Sequence, residues 1–289
     1  MKLKKLLKRI YASIPPFREL IQIRDAISNL KYEQRKFEFS MLEAMASTSA
    51  RYNDPKRLLR YGLQCNSQNL EDGMTCEIFR RIGTTNKTFA EIGVGDGKEN
   101  NTAMLLAFGW SGYWFDGDSA MHAMLNSDKQ YNLKAKTAFV NRENVACHFS
   151  EAGVPIEPDL LSLDVDQNTY YIWEGLSQWK PRVVIVEYNA AIPPDQVWKV
   201  KYDPNTTWNG TQNFGASLKA FENLGTKLGY SLVGCDITGI NAFFVRSDLV
   251  GDDRFCKPFS AENHYEPPRY AHGASRRMHS AALLDRVDC

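Results

Sequence analysis

The sequence predicts an α/β fold, in which an open and mostly parallel β-sheet is covered by helices on both faces. From about Arg51 onward, strand-like and helix-like segments alternate along the chain, as they do in a parallel sheet with crossover helices. The last two strand-like segments lie close together and are joined by Asp236-Ile-Thr-Gly239, a composition typical of a hairpin turn. The last strand is therefore predicted to run antiparallel.

Seven strands and five helices are predicted in one domain covering residues 51–250. The strands are placed at Thr88–Ile92, Gly112–Phe115, Thr137–Val140, Leu160–Leu163, Arg182–Val186, Tyr230–Cys235 and Asn241–Arg246. The helices are placed near Asp72–Ile82, Lys98–Phe108, Ser119–Leu125, Tyr170–Gln178 and Gly215–Leu228. Residues 251–289 are polar and contain prolines, and are predicted to form an irregular C-terminal tail.

Residues 1–50 are predicted to form a basic and helical N-terminal extension. In residues 1–10, the apolar residues share one helical face and are surrounded by lysines and Arg9, which suits contact with an anionic membrane surface as well as a solvated terminus. After Pro15-Pro16, residues 17–46 are predicted to form one long helix. Its apolar residues step by three and four, interrupted by Gln34, through Leu20, Ile23, Ile27, Leu30, Phe37, Met41 and Ala44. This seam predicts either pairing with a second copy or packing onto the main domain.

Composition excludes several classes of partner and cofactor. The 289 residues include 35 basic and 34 acidic ones, for a net charge of +1, so no overall field attracts nucleic acid. The six cysteines form no C-x-x-C pair, which argues against zinc and redox-pair sites. There is no apolar run of membrane-spanning length and no secretory signal, so we expect a cytoplasmic protein.

Three alternating glycines, Gly93, Gly95 and Gly97, follow the first strand. Glycine lets the backbone lie against a ligand where a side chain would block it, and the helix predicted at Lys98 would direct free N–H groups to the same place. In the dinucleotide fingerprint G-x-G-x-x-G the third glycine would fall at Lys98, so an NAD site fits poorly. The spacing instead resembles motif I of the class I S-adenosylmethionine-dependent methyltransferases. A simple glycine-rich turn is the alternative.

Polar residues end every predicted central strand, at the sheet edge where open α/β folds bind ligands. Strand by strand they are Glu91, Asp116 and Asp118, Asn141 and Glu143, Asp164 and Asp166, and Glu187 and Asn189. Asp116 lies about 20 residues after the glycines, where an acidic group accepts ribose hydroxyls. The recurrence of such residues at one edge predicts a ligand site there.

Several segments resemble FkbM-type methyltransferases, most closely the branch associated with surface polysaccharides. They are Ser67–Gly73, the glycine loop, Trp114–Asp118, Leu161–Asp166 and Glu187–Asn189, within a resemblance from about Leu63 to Asp248. The resemblance implies a Rossmann-like seven-stranded methyltransferase sheet with S-adenosylmethionine as cofactor. The three glycines would then hold its methionine part, Asp116 its ribose, and Glu143 or its neighbours, such as Asn141, its adenine. Glu91 is a further cofactor-binding candidate. The chain departs from the family's Asp-Val-Glu-Gly by having Asp164-Val-Asp166-Gln167.

Methyl transfer to a hydroxyl needs a base, and Asp164 is the first candidate, with Glu187 as a second catalytic carboxylate. Asp164 bonded to backbone amides is the alternative, and His122 and His148 are less suitably placed bases. Asp164, Asp166 and Glu187, with Asn189, could instead hold Mg²⁺ or Ca²⁺.

The long segment from Asn189 to Phe214 is rich in proline and aromatic residues, as functional loops of this length often are. We interpret it as an acceptor-binding lid in which Asn189, Tyr202, Asp203 and Trp208 contact a sugar. An ordered cover that buries its own aromatic residues is the alternative.

The favoured function is methylation of a hydroxyl on a sugar or glycan precursor, in surface polysaccharide biosynthesis. A nucleotide-sugar glycosyltransferase would instead use Asp116-Gly-Asp118 or Asp164-Val-Asp166 as a metal-binding D-x-D. A third hypothesis is a non-catalytic binding module with the same fold.

Overall fold

A computed structural model describes residues 15–119, 121 and 132–269. The residues before Ala50 and those from Ala50 onward form two compact units. In the first unit, helix α1 runs without interruption over Pro15–Thr48, which confirms the predicted long helix. Residues 1–10 lie outside the described residues, so their membrane contact stays a prediction. No helix within the described ranges is both long and apolar enough to cross a bilayer.

The second unit alternates helices and strands around one sheet. Its helices are α2 (Ala50–Asn53), a 3₁₀ turn (Leu58–Tyr61), α3 (Glu71–Ile82), α4 (Ala103–Ala107), α5 (Val145–Ala152), α6 (Thr169–Gly175), α7 (Leu218–Leu228) and α8 (Ala261–His264). Its strands are β1 (Thr88–Ile92), β2 (Ser111–Asp116), β3 (Leu133–Thr137), β4 (Leu160–Leu163), β5 (Val183–Glu187), β6 (Tyr230–Cys235) and β7 (Asn241–Arg246).

The seven strands are ordered β3-β2-β1-β4-β5-β7-β6. Strands β1 to β5 pair in parallel, whereas β7 is antiparallel to both β5 and β6. This is the α/β Rossmann-like sheet with an antiparallel last strand that the sequence predicts. The chain leaves β1 toward β2 on one side and returns to β4 on the other, so the switch point lies between β1 and β4.

Both faces of the sheet are buried, which explains the continuous apolar runs of its central strands. Residues 183–186 of β5 are all fully buried valine or isoleucine. Two separate core clusters lie on the two faces. One is built around Phe149, Trp173 and Phe221, and the other around Met74, Phe89 and Phe243. Within the described residues, the helices thus cover the faces of the sheet and leave its strand ends accessible.

Two predicted elements differ from the structure for identifiable reasons. Strand β3 lies at Leu133–Thr137 rather than Thr137–Val140, because it is a half-exposed edge strand carrying Lys134 and Lys136 instead of an apolar run. The helix predicted from Lys98 begins only at Ala103, because the preceding residues are held in a turn by Glu91. Helix α5 was not predicted, and most of the predicted Ser119–Leu125 helix lies outside the described residues.

The first part of the predicted tail packs against the rest of the second unit. Glu266 is fully buried, and its carboxylate accepts hydrogen bonds from Arg51, Tyr52 and Arg269. Residues 270–289 lie beyond the part of the chain that the structure describes.

Candidate active site

Two adjoining cavities lie at the carboxyl ends of the central strands. The smaller, of about 190 Å³, is enclosed by the glycine loop, the turn that follows it and Asn241 at the start of β7. The larger, of about 600 Å³, is enclosed by the ends of β1, β2 and β4 and by residues 206–208. Gly93 and Asp164 line both cavities, so one elongated ligand can occupy the two together.

The three glycines of the loop differ in their structural roles. A Cβ on Gly93 would lie 1.6 Å from the carbonyl oxygen of Asp164, so the fold itself requires glycine where the ends of β1 and β4 meet. Gly95 also has a positive φ, of 62°, but a Cβ there would meet no atom within 4 Å. Gly95 therefore leaves open space beside the cavity. Gly97 has a φ of 78° and closes a turn through its N–H to Val94, and it does not line either cavity.

Glu91 organises the turn after the glycines. Its buried carboxylate accepts hydrogen bonds from the Asn100 side chain (2.8 Å), the Asn101 N–H (3.0 Å) and the Thr102 hydroxyl (2.5 Å). Burial raises the pKa of Glu91 to about 7, and the hydrogen bonds from Thr102 and Asn101 oppose the rise. Glu91 lines the smaller cavity and also fixes the cavity's wall, and its contact with a cofactor stays a prediction.

Two asparagine side chains present unsatisfied oxygens at the smaller cavity. Asn100 and Asn241 are only 6% and 4% exposed. Their NH₂ groups donate to side-chain oxygens of Glu91 and Glu71, so the amide oxygens face away from those two carboxyl groups. Neither oxygen has a hydrogen-bond partner. Because a buried acceptor without a donor is costly, this cavity suits a ligand group rich in N–H donors.

Asp116, which the sequence predicts to bind ribose, lines the larger cavity. Its two carboxylate oxygens accept from the backbone N–H groups of Gly95 and Asp118, at 2.7 Å each, and each oxygen keeps further accepting capacity. Residues 137–140 form another part of the wall, including the exposed ring of Phe139. A polar edge and an aromatic wall in one cavity suit a nucleoside.

Three carboxyl groups converge beside the point shared by the cavities. Asp164, Asp166 and Glu187 each offer an oxygen, and these oxygens lie within 4.8 Å of one another. Desolvation, followed by the neighbouring carboxylates, raises the pKa of both Asp164 and Glu187. Such a group is stabilised either by a proton shared between Asp164 and Glu187 or by a hard cation.

Asn168 adds a fourth oxygen to the same cavity wall. Its side chain is 4% exposed and its NH₂ donates to the Asp203 carbonyl, which leaves its amide oxygen without a partner. Asn168 lines the larger cavity together with Asp164 and Asp166, and amide and carboxylate oxygens are the ligands that Mg²⁺ and Ca²⁺ prefer.

The residues predicted to meet adenine lie outside both cavities. The Asn141 side chain accepts from the N–H groups of Glu143 and Asn144 and so fixes the start of α5. Glu143 accepts the hydroxyl hydrogen of Tyr202. His148, considered as a base, lies on α5 and lines neither cavity, and His122 is outside the described residues.

Of the four residues predicted to contact an acceptor, Trp208 lines a cavity, together with Thr206 and Thr207. Asn189 is fully buried and anchors the loop by donating to the carbonyls of Gln212 and Phe214. Tyr202 and Asp203 lie away from the linings, and Tyr202 bridges to the start of α5. The segment therefore combines an ordered cover, which buries Trp198 and Phe214, with a polar edge at the cavity.

Sequence reasoning missed several lining residues: Gln68, Asn100, Asn101, Phe139, Asn168, Thr206, Thr207 and Asn241. One signal was available, because Gln68 belongs to the Ser67–Gly73 segment that supports the family resemblance. The same segment supplies Glu71, which orients Asn241.

The charge of the two linings is uniform in sign. Seven acidic residues line them: Glu91, Asp96, Glu99, Asp116, Asp118, Asp164 and Asp166. No lysine, arginine or histidine among the described residues lines either cavity. The site therefore favours a cationic or zwitterionic ligand over an anionic one.

No protein-family model matches the chain, and no curated protein matches it. Distantly similar solved structures include coclaurine N-methyltransferase bound to N-methylheliamine and SAH, at 14% identity and a TM-score of 0.29. Phosphoethanolamine N-methyltransferase 1 of Haemonchus contortus is 12% identical, with a TM-score of 0.37. The glycopeptide N-methyltransferase MtfA complexed with S-adenosyl-L-methionine is 12% identical, with a TM-score of 0.34.

These matches cover 64%, 78% and 71% of this chain, and 62%, 51% and 96% of the three other chains respectively. The chain thus spans about half to three-fifths of the first two proteins. Similarity at these scores assigns no activity, and the fold assignment stands on the strand order and directions given above.

Proposed function

We propose that the chain is an S-adenosylmethionine-dependent methyltransferase whose cofactor lies across the two cavities. The adenosine part would occupy the larger cavity, near Asp116 and Phe139. The amino-acid end would occupy the smaller one, where its ammonium group would donate to the oxygens of Asn100 and Asn241. The observation that carries this proposal is the pairing of uniformly acidic linings with buried, unsatisfied amide acceptors. S-adenosylmethionine brings a sulfonium and an ammonium to that environment.

The same charges weigh against the rival ligands. NAD and UDP-sugars each carry a diphosphate, which needs cationic side chains, a metal ion or a helix N-terminus. The described linings offer no cationic side chain, and α4 is only five residues long and begins at Ala103, beyond the glycine loop. A nucleotide-sugar glycosyltransferase would depend entirely on a metal ion to offset the acidic side chains of the linings.

In this proposal Asp164 takes the proton from the acceptor. Bound cofactor would supply an electrophilic methyl group, and Asp164 lines both cavities, beside the point where their contents meet. Its raised pKa makes it a more effective base than an exposed aspartate. Glu187 lies beside Asp164 and would either hold a proton between the two carboxyl groups or help to bind a cation.

The proposed acceptor is a hydroxyl of a sugar or glycan precursor, in a cytoplasmic step of surface polysaccharide biosynthesis. The FkbM-type resemblance supports this acceptor class, and so does the cavity edge formed by Thr206, Thr207 and Trp208, which suits hydrogen bonding and stacking of a sugar. Incubation of sugar and nucleotide-sugar panels with labelled cofactor, followed by mass spectrometry, tests it. Methylation confined to amines would contradict an O-methyltransferase.

A divalent cation at Asp164, Asp166, Glu187 and Asn168 is a further part of the proposal. Mg²⁺ there would lower the pKa of an acceptor hydroxyl and so assist the loss of its proton. Calorimetric titration with Mg²⁺ alone measures the site directly, and Asp166→Asn should weaken binding. Turnover that is unaffected by EDTA would remove the cation from the mechanism and leave the shared proton.

The cofactor class is tested by thermal-shift measurements with S-adenosylhomocysteine, NAD and UDP-sugars. We expect stabilisation by S-adenosylhomocysteine alone, since a ligand that binds only the folded state raises the unfolding temperature. Stabilisation by a UDP-sugar with Mn²⁺ or Mg²⁺ and not by S-adenosylhomocysteine would instead favour the glycosyltransferase.

A further inference from the structure

Helix α1 carries a regular row of exposed apolar side chains. Leu20, Ile23, Ile27, Leu30, Phe37 and Met41 are between 47% and 69% exposed. Together with Gln34 and Ala44 they recur at alternating steps of three and four residues, and we call this row the apolar seam. Soluble proteins seldom leave so long a contiguous apolar row in water, so the seam requires a cover.

The spacing of the seam indicates what that cover is. Alternating steps of three and four average 3.5 residues, which is the repeat of a two-stranded, left-handed coiled coil. A helix packed on a globular body usually shows a wider apolar stripe. In the first half of α1 the described residues between seam positions are mostly polar. Gln22, Arg24, Asp25 and Asn29 are polar and exposed, whereas Ala26 and the half-buried Ile21 are apolar. Over this half of the helix the seam is therefore narrow.

We propose that the seam pairs with the seam of a second copy of this chain, forming a parallel, in-register two-stranded coiled coil. In heptad terms, Leu20, Ile27, Gln34 and Met41 occupy a positions, and Ile23, Leu30, Phe37 and Ala44 occupy d positions. A parallel in-register pair brings each a residue against its own copy.

Gln34 favours this arrangement over an antiparallel one. In register, its amide meets the amide of the second Gln34, so the two side chains can hydrogen-bond to each other across the interface. An antiparallel pair would set Gln34 against an apolar d residue and bury its amide without that partner. A polar residue at one a position is the feature that fixes register and strand number in parallel coiled coils.

One flanking charge pair and the length agree with the same arrangement. Glu19 occupies a g position, and a parallel pair places it opposite Arg24 of the second copy, at an e position, with opposite charge. The seam from Leu20 to Ala44 extends over about 36 Å at about 1.5 Å per residue. A helix of this length gains most of its stability from packing of its apolar face rather than from intrinsic propensity.

The test is the mass of the full chain in solution, by light scattering over a concentration series. We expect a dimer for the parent, and a monomer for a variant carrying Ile27→Glu and Leu30→Glu. The matched control carries Gln22→Glu and Asn29→Glu, which add the same charge to the polar face, and should stay dimeric. Unchanged binding of S-adenosylhomocysteine, or an unchanged thermal unfolding temperature of the second unit, verifies that the variants fold. A parent that is monomeric, or that binds anionic vesicles as a monomer, would overturn the proposal.

Orientation is tested by disulfide formation. The exposed Cys65, Cys76 and Cys147, together with Cys289, are first replaced by serine. Ile27→Cys in that background should form a covalent dimer on mild oxidation, since residue 27 meets its own copy in a parallel pair. Asn29→Cys, away from the seam, should not. Failure of Ile27→Cys to cross-link a chain that is dimeric by mass would overturn the parallel register.

Discussion

Asp164 is the carboxylate that lines both cavities, and its replacement tests the proposed chemistry at the scale of one residue. Asp164→Asn keeps size and some hydrogen bonding but removes basicity and charge. We expect turnover to fall by roughly 10²–10⁴-fold, the usual contribution of a general base, with S-adenosylhomocysteine affinity nearly intact. Steady-state kinetics and calorimetry measure the two quantities. The exposed Asp195→Asn is the control, and near-normal turnover by Asp164→Asn would return Asp164 to a structural role.

Gly95 tests the cofactor position, and Gly83 supplies a matched control. Both have positive φ, of 62° and 69°, and at both a new Cβ would meet nothing within 4 Å. Valine therefore introduces backbone strain at either position, but only at residue 95 does its side chain lie in the lining of a cavity. We expect Gly95→Val to abolish S-adenosylhomocysteine binding and Gly83→Val to retain it, by calorimetry. Equal affinities for the parent and Gly95→Val would mean that the cofactor site is misplaced.

At the scale of the element, the loop from Asn189 to Phe214 depends on the buried Asn189 side chain. It donates to two loop carbonyls and accepts from the N–H of Ala191. Asn189→Ala removes three hydrogen bonds and leaves the buried Phe214 carbonyl unsatisfied, at a cost of about 1–3 kcal/mol, so the loop should loosen while the sheet stays folded. We expect faster proteolysis within the loop and a raised KM for the acceptor. The exposed Asn205→Ala is the control, and an unchanged cleavage rate for Asn189→Ala would show that other contacts hold the loop.

The buried strands were predicted more accurately from the sequence than the exposed edge strand. Strands β1, β4, β6 and β7 are predicted to the residue, since short buried apolar runs end in glycine or polar residues. Strand β3 was misplaced by four residues, because an edge strand need not be apolar. The late start of α4 depends on the contact of Glu91 with three residues of the turn, which helix propensity does not register.

The site was predictable where chemistry coincides with a strand end, and not where distant segments meet. Glu91, Asp116 and Asp164 lie at strand ends and line the cavities as the sequence predicts. Asn100 and Asn241 come together from positions far apart in the chain, and their role depends on which carboxylate orients each amide. No local pattern in the sequence encodes that pairing.

At the scale of the whole molecule, buried carboxyl groups should make the free energy of unfolding fall as pH rises. Burial raises the pKa of Glu91 and of Asp236 to about 7, above the ordinary values of 4.5 and 3.8. Above its ordinary pKa each group is ionised in the unfolded chain but keeps its proton in the folded one. Its stabilising contribution is therefore complete below the ordinary value and declines by about 1.4 kcal/mol per pH unit until the folded pKa is passed.

Urea unfolding from about pH 5 to about pH 8 measures this dependence. Glu91→Gln should reduce the slope by the share of one proton, because glutamine stays neutral throughout the range. The control is Glu99→Gln, which changes a carboxylate of the same cavity that is not buried. An unfolding free energy that is constant or rises over this range in the parent would contradict the protonated state of the buried carboxyl groups.

The central claim is that one cofactor lies across both cavities, and a crystal structure of the chain with S-adenosylhomocysteine tests it most directly. Adenosine should lie in the larger cavity beside Asp116, and the amino group should lie within hydrogen-bonding distance of the side-chain oxygens of Asn100 and Asn241. The sulfur should lie near Asp164. Density for the ligand outside these cavities, or with its carboxylate rather than its ammonium against the two asparagine oxygens, would contradict the account.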